Sequence, residues 1–306
     1  MVVRERVELP GFRDEEIDAM RTMNALRPIL VLALAAGAGC GSSEQGPEKF
    51  DLRVAIPRGL AYTHERTERV SGWMSVKAAN GTETRQPLEK EEHRVYEDEI
   101  PGVDDGHVTK LRRKTLEWSL KRQAPGDTAL RTVPRGTVGK TIVLRRTELG
   151  TEYDEADGLP EEEVKANQLG TLEALISSPA EPVAVGAQWP IDGNSIVEYF
   201  GGDAGDRALK VRTASGTGRL EAIDPGRVAR VSVKIDVHGS FRQLLDVDVV
   251  MVMKLTVTLD LDNGGRPMAF GAHADGRILG QVDRATGPAS YDGSFTFDAT
   301  GQNRYR

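Results

Sequence analysis

From Val247 to Leu261 every odd-numbered residue is apolar, while Asp248, Lys254, Thr256, Thr258 and Asp260 hold most of the even positions. Successive side chains of a strand point to opposite faces, so this alternation commits the run to β-structure with one buried side. Extended at about 3.3 Å per residue it would reach roughly 50 Å. Ordinary strands stop well short of that, so the run has to bend, bulge or wrap within a curved sheet. Val250 and Val252 make the second face apolar near its start, which predicts cover on both sides there. Val231, Val233, Ile235 and Val237 form a second stripe, with Arg230, Ser232, Lys234 and Asp236 facing away. Leu116, Trp118 and Leu120 form a third, opposed by Thr115, Glu117 and Lys121.

Pairs that favour tight turns punctuate these runs: Asn80-Gly81, Asp105-Gly106, Pro125-Gly126, Asp192-Gly193, Pro225-Gly226, Asn263-Gly264, Asp275-Gly276 and Asp292-Gly293. Such pairs supply the backbone conformations that hairpins demand. Many short runs joined this way predict an antiparallel meander in which sequential strands are neighbours. One helix is expected from Pro160 to about Ile176. Pro160 suits a first turn, and Glu161, Glu162 and Glu163 suit the positive end of the helix dipole. Leu169, Leu172, Leu175 and Ile176 line one face, and that face needs the apolar side of a sheet as its partner. The expected fold is therefore mostly β: a large curved antiparallel sheet, half-barrel or barrel-like, with one packed helix near residues 160–176.

The amino-terminal region carries the address. Arg27-Pro28 precedes an apolar run, residues 29–39, which ends at Cys40, the single cysteine of the chain. The run falls short of the ~20 apolar residues a spanning helix needs and has the length of a signal-peptide core. Ala38, Gly39 and Cys40 resemble the box that closes a bacterial lipoprotein leader; Gly37 departs from its usual aliphatic residue. The resemblance implies that Cys40 receives diacylglycerol and begins the mature protein. It also implies an outer-membrane address facing the periplasm, because Gly41 is not the Asp that marks inner-membrane retention. A rival reading cleaves after Ala36-Gly37-Ala38 and releases a soluble product. Residues 1–22 carry Glu5, Glu8, Asp14, Glu15, Glu16 and Asp18, which do not suit a basic leader start, so Met20 or Met23 is the better initiator. The expected organisation is 1–22 as a mis-set start or disordered, 23–39 as signal peptide, 40–50 as a flexible tether and 51–306 as the β domain. Asp104 to Leu111 resembles Asp224 to Val231, which raises halves at 51–180 and 181–306; a hairpin turn followed by a strand explains the likeness more simply.

Composition narrows the function classes. A net charge of −7 gives no electrostatic footprint for nucleic acid. No cysteine follows Cys40, so no disulfide framework is being built. Arg135 to Thr141 resembles the end of a phosphate loop, but Pro134 and the strand-like Ile142-Val143-Leu144 remove the required glycine and helix. Asp260 to Gly264 starts like a calcium loop and lacks its closing Glu, so a hairpin is expected. His64, His93, His107, His238 and His273 show no metal-ligand spacing, and each reads as a partly exposed strand or turn residue. Asp154, Glu155, Asp157 and Glu161 to Glu163 read as a solvated loop and helix start. Arg112-Arg113-Lys114, Lys121-Arg122 and Arg145-Arg146 could meet anionic lipid; the interleaved Thr115, Glu117 and Ser119 favour the solvent face of a sheet instead.

No catalytic residue, metal or cofactor is expected. Glu181 to Pro190 resembles the Pro-Val-x-Val-Gly-x-x-Trp stretch of uncharacterised β-rich envelope proteins. The scaffold is similar, at fold level, to the half-barrels of lipoprotein carriers of the LolA and LolB type, which implies a ligand-lining set of Leu169, Leu172, Ile176, Val249, Met251, Met253 and Leu255; an ordinary packed core is the simpler reading of the same residues. The expected function is a lipid-anchored, non-catalytic envelope protein that binds lipid or another hydrophobic ligand. Alternatives are a module that docks on other envelope proteins, or a secreted hydrolase.

Overall fold

In the computed structural model the alternating run is a single strand of fifteen residues, and the same pattern extends across its neighbours. The structure describes residues 49–306 apart from 54–55, 105–106, 124–128, 148–149, 155, 157, 166, 168–177, 194–208, 227, 244–246 and 285–286. In chain order the strands begin with β1 (Lys49–Phe50), β2 (Ala61–Lys77), β3 (Glu83–Pro87), β4 (Lys90–Asp104) and β5 (His107–Arg122). There follow β6 (Arg131–Val133), β7 (Thr141–Thr147), β8 (Gly150–Asp154), the helix α1 (Glu161–Lys165), β9 (Val183–Ala184) and β10 (Gln188–Asp192). The long strands β11 (Leu209–Asp224), β12 (Val228–Gln243), β13 (Val247–Leu261), β14 (Pro267–Arg284) and β15 (Gly287–Tyr305) complete the chain.

Thirteen of these strands form one antiparallel sheet, in the order β10-β11-β12-β13-β14-β15-β2-β4-β5-β7-β8, with β3 on β2 and β6 on β5. The sheet is not closed into a barrel. Strands adjacent in sequence are neighbours, as a meander requires, with one large exception: β15 pairs with β2 along sixteen residue pairs, from Ser290↔Lys77 to Tyr305↔Tyr62. That seam joins the expected halves into one sheet. The two phrases suggesting a repeat, at residues 104–111 and 224–231, each fall at a hairpin and the strand after it. A separate two-stranded sheet pairs β1 with β9.

Residues directly opposite one another share a face, so the register maps the buried inner face. On β12 and β13, Val231, Val233, Ile235 and Val237 lie opposite Leu259, Val257, Leu255 and Met253, and all are buried. On the second face of β13, expected to be covered, Val250 is half-buried and Val252 is 37% exposed among the described residues. Asp275-Gly276 and Asp292-Gly293 are not turns either. Both lie inside long strands, where Gly276 faces Phe295, and a Cβ on Gly293 would meet the Trp73 carbonyl at 2.6 Å. Their absent side chains make room for a ring and for a neighbouring backbone.

In β5 a register shift opposite Val95 and Tyr96 changes which side chains face inward. Trp118 and Leu120 point inward as expected, but so do Thr115 and Arg113, which the alternation had placed in solvent. A bulge adds one residue to one strand, and simple parity counting does not survive it. Of the helix expected over 160–176, the structure shows α1, Glu161–Lys165; Asn167 is described and is not helical. Pro160 opens α1, its carbonyl accepting from the N–H groups of Glu163 and Val164 at 2.9 and 3.0 Å. Leu169, Leu172, Leu175 and Ile176 lie outside the described residues, as does Cys40.

Candidate functional site

The inner face changes chemistry along its width. From β10 to β15 it is aliphatic and aromatic, a core that includes Trp189, Leu220, Val233, Leu255, Leu259 and Phe270, with Phe50 and Leu52 from the segment before β2 packed on it. The expected ligand-lining residues Met251, Met253 and Leu255 are buried in this core. Val249 belongs to β13, but its side chain lies outside the description. Trp189 enters through a local device: Gly186, at φ +87°, turns the chain from β9 into β10, and Trp189 then stands opposite Gly218.

Past the seam the face becomes charged. Ala299 of β15 lies opposite Glu68 of β2, and Glu68 lies opposite Glu92 of β4. Lys90 bridges the two carboxylates, its ammonium 3.1 Å from Glu68 and 2.6 Å from Glu92. Arg66 pairs with Glu68. Glu92 also accepts from Arg94 Nε and from the Trp118 indole N–H, each at 2.6 Å. Both Arg94 and Arg135 lie over the Trp118 ring, at 4.3 and 4.6 Å from its centroid, within cation–π range. Burial alone would raise the Glu68 carboxyl, but Arg66, Lys90 and Arg94 outweigh it and bring it to about 2. Burial works the same way on Glu92, and Arg94 and Lys90 again prevail, holding it below the usual carboxylate range. Burial opposes the charge on Lys90, and Glu68 and Glu92 more than restore it. All three groups are ionised at neutral pH.

Two further polar units flank this ladder. Arg113 forks onto Asp98 with bonds of 2.8 and 2.7 Å, and its guanidinium lies 4.3 Å over Tyr96. His64, expected to be partly exposed, is buried and stacked against Tyr96 and Phe270. The Asn303 amide donates to the Pro267 carbonyl at 3.1 Å, which aims its oxygen at His64 Nδ1, 2.7 Å away. Nδ1 therefore carries the imidazole proton. Burial pushes His64 down to about 4, against the pull of Asn303 and Asp98, so the ring is neutral at pH 7.

The acidic run at the start of α1 is not all solvated. Glu163 is buried, and its carboxylate accepts from the backbone N–H groups of Gly136 and Thr137 at 3.0 and 2.9 Å. The stretch that resembled a phosphate loop does cradle an anion with backbone amides, and the anion is the chain's own glutamate. Asp262 likewise closes its hairpin by accepting from the N–H of Gly264 and of Arg266. On the opposite face of the sheet, a groove of about 440 Å³ runs past Arg219, Lys234, Asp236 and Lys254; its lining is mixed polar and apolar.

None of the sequence patterns pointed to the inner ladder. His64 to Arg69 reads as an unbroken polar stretch, and such a stretch normally marks a solvated strand. The available signal was the density of alternating opposite charges on β2 and β4 combined with Trp118, whose N–H has to find an acceptor when buried.

No protein-family model and no curated protein sequence matches the chain. Among solved structures it is similar to a lipovitellin described for its lipid–protein interactions, with a TM-score of 0.38 and 7% identity over 79% of this chain and 25% of that one. It thus spans about a quarter of the length of the lipovitellin chain. It is also similar to the Pseudomonas (P. putida) toluene transporter TodX, with a TM-score of 0.19 and 10% identity over 81% and 90% of the two chains. At TM-scores this low, the likeness is too distant to bear on ligand or mechanism.

Proposed function

We propose that the chain is a non-catalytic protein of the cell envelope, anchored by acylation at Cys40, that binds a hydrophobic ligand on the inner face of its sheet. The carrying observation is a gradient along that face. Val233, Leu255 and Ala274 are buried, whereas Phe295, Phe297 and Val70, nearer the charged ladder, are half-buried. An apolar surface that opens toward solvent on one side is where an apolar guest gains most from leaving water. A guest extending beyond that margin replaces existing packing contacts. The ionisation of Glu68 and Glu92 argues against this pair performing glycoside hydrolysis, which needs one of two carboxyls protonated.

The complete burial of Val231, Val233 and Leu259 favours a second reading, a structural module with a closed core that docks on other envelope proteins. Native mass spectrometry after gentle extraction separates the two. A co-purifying lipid supports ligand binding, whereas a stoichiometric protein partner without lipid supports the module and would sink the carrier reading.

A further inference from the structure

The face of the sheet turned away from the core carries a line of cations set out by strand register. Lys234 of β12 lies opposite Thr217 of β11 on one side and Thr256 of β13 on the other. Arg219 lies opposite Ser232, and Lys254 opposite Asp236. Arg219, Lys234 and Lys254 are therefore successive diagonal neighbours across three strands, each step about 7–8 Å. Arg277, opposite Val252, carries the same diagonal onto β14. Both ends of the line are neutralised, Arg219 by Glu221 at 3.4 Å and Arg277 by Asp292 at 3.7 Å. The two lysines in its middle make no ion pair and no side-chain hydrogen bond among the described residues.

Arg219, Lys234 and Lys254 border the groove of about 440 Å³, a volume within the roughly 300–1,000 Å³ of small-molecule sites. Its floor is the row Gly216, Ile235 and Leu255, the last two with their side chains buried on the inner face. Glu221 is already engaged by Arg219 and by the Ser232 hydroxyl. The open charges are thus two ammoniums and one carboxylate, Asp236, a surplus of one positive charge. Around them stand the Thr217 and Thr256 hydroxyls and the Gln188 amide. The described lining holds no aromatic ring, so charge and hydrogen bonds have to carry recognition. Cations strung over two diagonal steps, about 15 Å, match an extended anion better than a compact one. Hydroxyl, amide and carboxylate groups between them match a ligand that is hydroxylated between its anionic groups.

We propose that this groove binds a short acidic oligosaccharide, with sugar carboxylates at Lys234 and Lys254 and sugar hydroxyls donating to Asp236 and bonding to Thr217 and Thr256. The site lies on the outer face and stands apart from the hydrophobic-ligand reading of the inner one.

The test titrates trigalacturonate and its fully methyl-esterified form into the full-length protein at low salt, followed by calorimetry. The ester keeps the rings and hydroxyls and loses the charges. The acid should bind about tenfold tighter, and added salt should erode that margin. Lys234→Met and Lys254→Met should each weaken the acid about threefold, the scale of an exposed ion pair. Asp236→Asn removes a like charge, keeps an acceptor and should tighten the acid severalfold. Lys121→Met should change nothing, since Lys121 shares this face but stands on β5, far across the sheet. Capped triglutamate offers carboxylates without hydroxyls and should bind more weakly than trigalacturonate. Equal binding of acid and ester overturns the role of the lysines, and triglutamate binding as tightly overturns the sugar class. No binding of trigalacturonate overturns the site and leaves the inner-face reading standing. If a lysine variant fails to fold, by circular dichroism, the wild-type comparison and Asp236→Asn still decide.

Discussion

Trp189 lies directly opposite Gly218, and a Cβ added to that glycine would sit 2.5 Å from the indole. The same arrangement recurs twice: Phe270 stands opposite Gly301, and Phe295 opposite Gly276. In each pair the ring occupies the volume that the glycine leaves empty. Gly218→Ala and Gly301→Ala should each destabilise by about 1–3 kcal/mol through overpacking. Gly271 is the control, since an added Cβ there meets nothing within 4 Å. Urea midpoints at unchanged m-value should fall for the first two and stay put for Gly271→Ala.

Asp98 is the carboxylate partner of the buried Arg113 guanidinium. Asp98→Leu removes the carboxylate from that buried cation and should cost about 3–5 kcal/mol. Replacing both, as Asp98→Leu with Arg113→Met, should recover most of the loss, because a buried ion pair contributes little over a well-packed apolar pair. A double-mutant cycle in urea reads the coupling directly. Additive losses would show that the fork is not an energetic unit.

Stability should fall as the medium becomes acidic, in two stages. His64 titrates near 4 when folded and near its ordinary 6.5 when unfolded. Between those values the unfolded chain takes up the proton first, so stability present above about pH 6.5 is lost as pH falls toward 4, by a few kcal/mol in all. Glu68 adds a second loss, as pH falls from its ordinary 4.5 toward about 2. His64→Gln should flatten the first stage and leave the second. Chemical denaturation at pH 7, 5.5, 4.5 and 3 measures both stages.

Glu163 fastens α1 to the turn before β7 through two backbone N–H groups. Glu163→Ala leaves both donors without this acceptor and should cost about 2–4 kcal/mol, since hydrogen bonds to a charged group are the stronger kind. Amide exchange at Gly136 and Thr137 should accelerate more than exchange along β12. Uniform acceleration across the sheet would mean the contact is not local.

Acylation at Cys40 is checked by metabolic labelling with a clickable fatty acid. The wild-type chain should take up label and Cys40→Ala should not. Label retained after the substitution would place any lipid elsewhere.

The aliphatic half of the sheet was legible in the sequence, because β12 and β13 alternate over most of their length and Pro225-Gly226 and Asn263-Gly264 sit where turns occur. What escaped were places where alternation carries no hydrophobic contrast. β2 and β4 present charge on both faces, so periodicity could not tell the solvated side from Glu68, Glu92 and Asp98. The bulge in β5 inverted the parity at Arg113 and Thr115. Asp275-Gly276 and Asp292-Gly293 had turn composition but strand positions, because those glycines answer a ring or a backbone on the next strand, a relation between residues distant in sequence. The aliphatic core meets that ladder only because the seam puts β15 beside β2, and no local pattern announces a pairing between residues more than 200 positions apart.

That seam also sets a timetable. Gln302 reaches Glu65 across 237 positions. At roughly 5–20 residues per second of synthesis, β2 waits on the order of tens of seconds for its mate. Throughout that interval the donors and acceptors of its β15-facing edge stand open to any passing strand, while β3 and β4 can cover the other edge. The nascent chain is therefore most vulnerable to mispairing while it is still being made, and a holding factor would matter most before the final hairpin emerges.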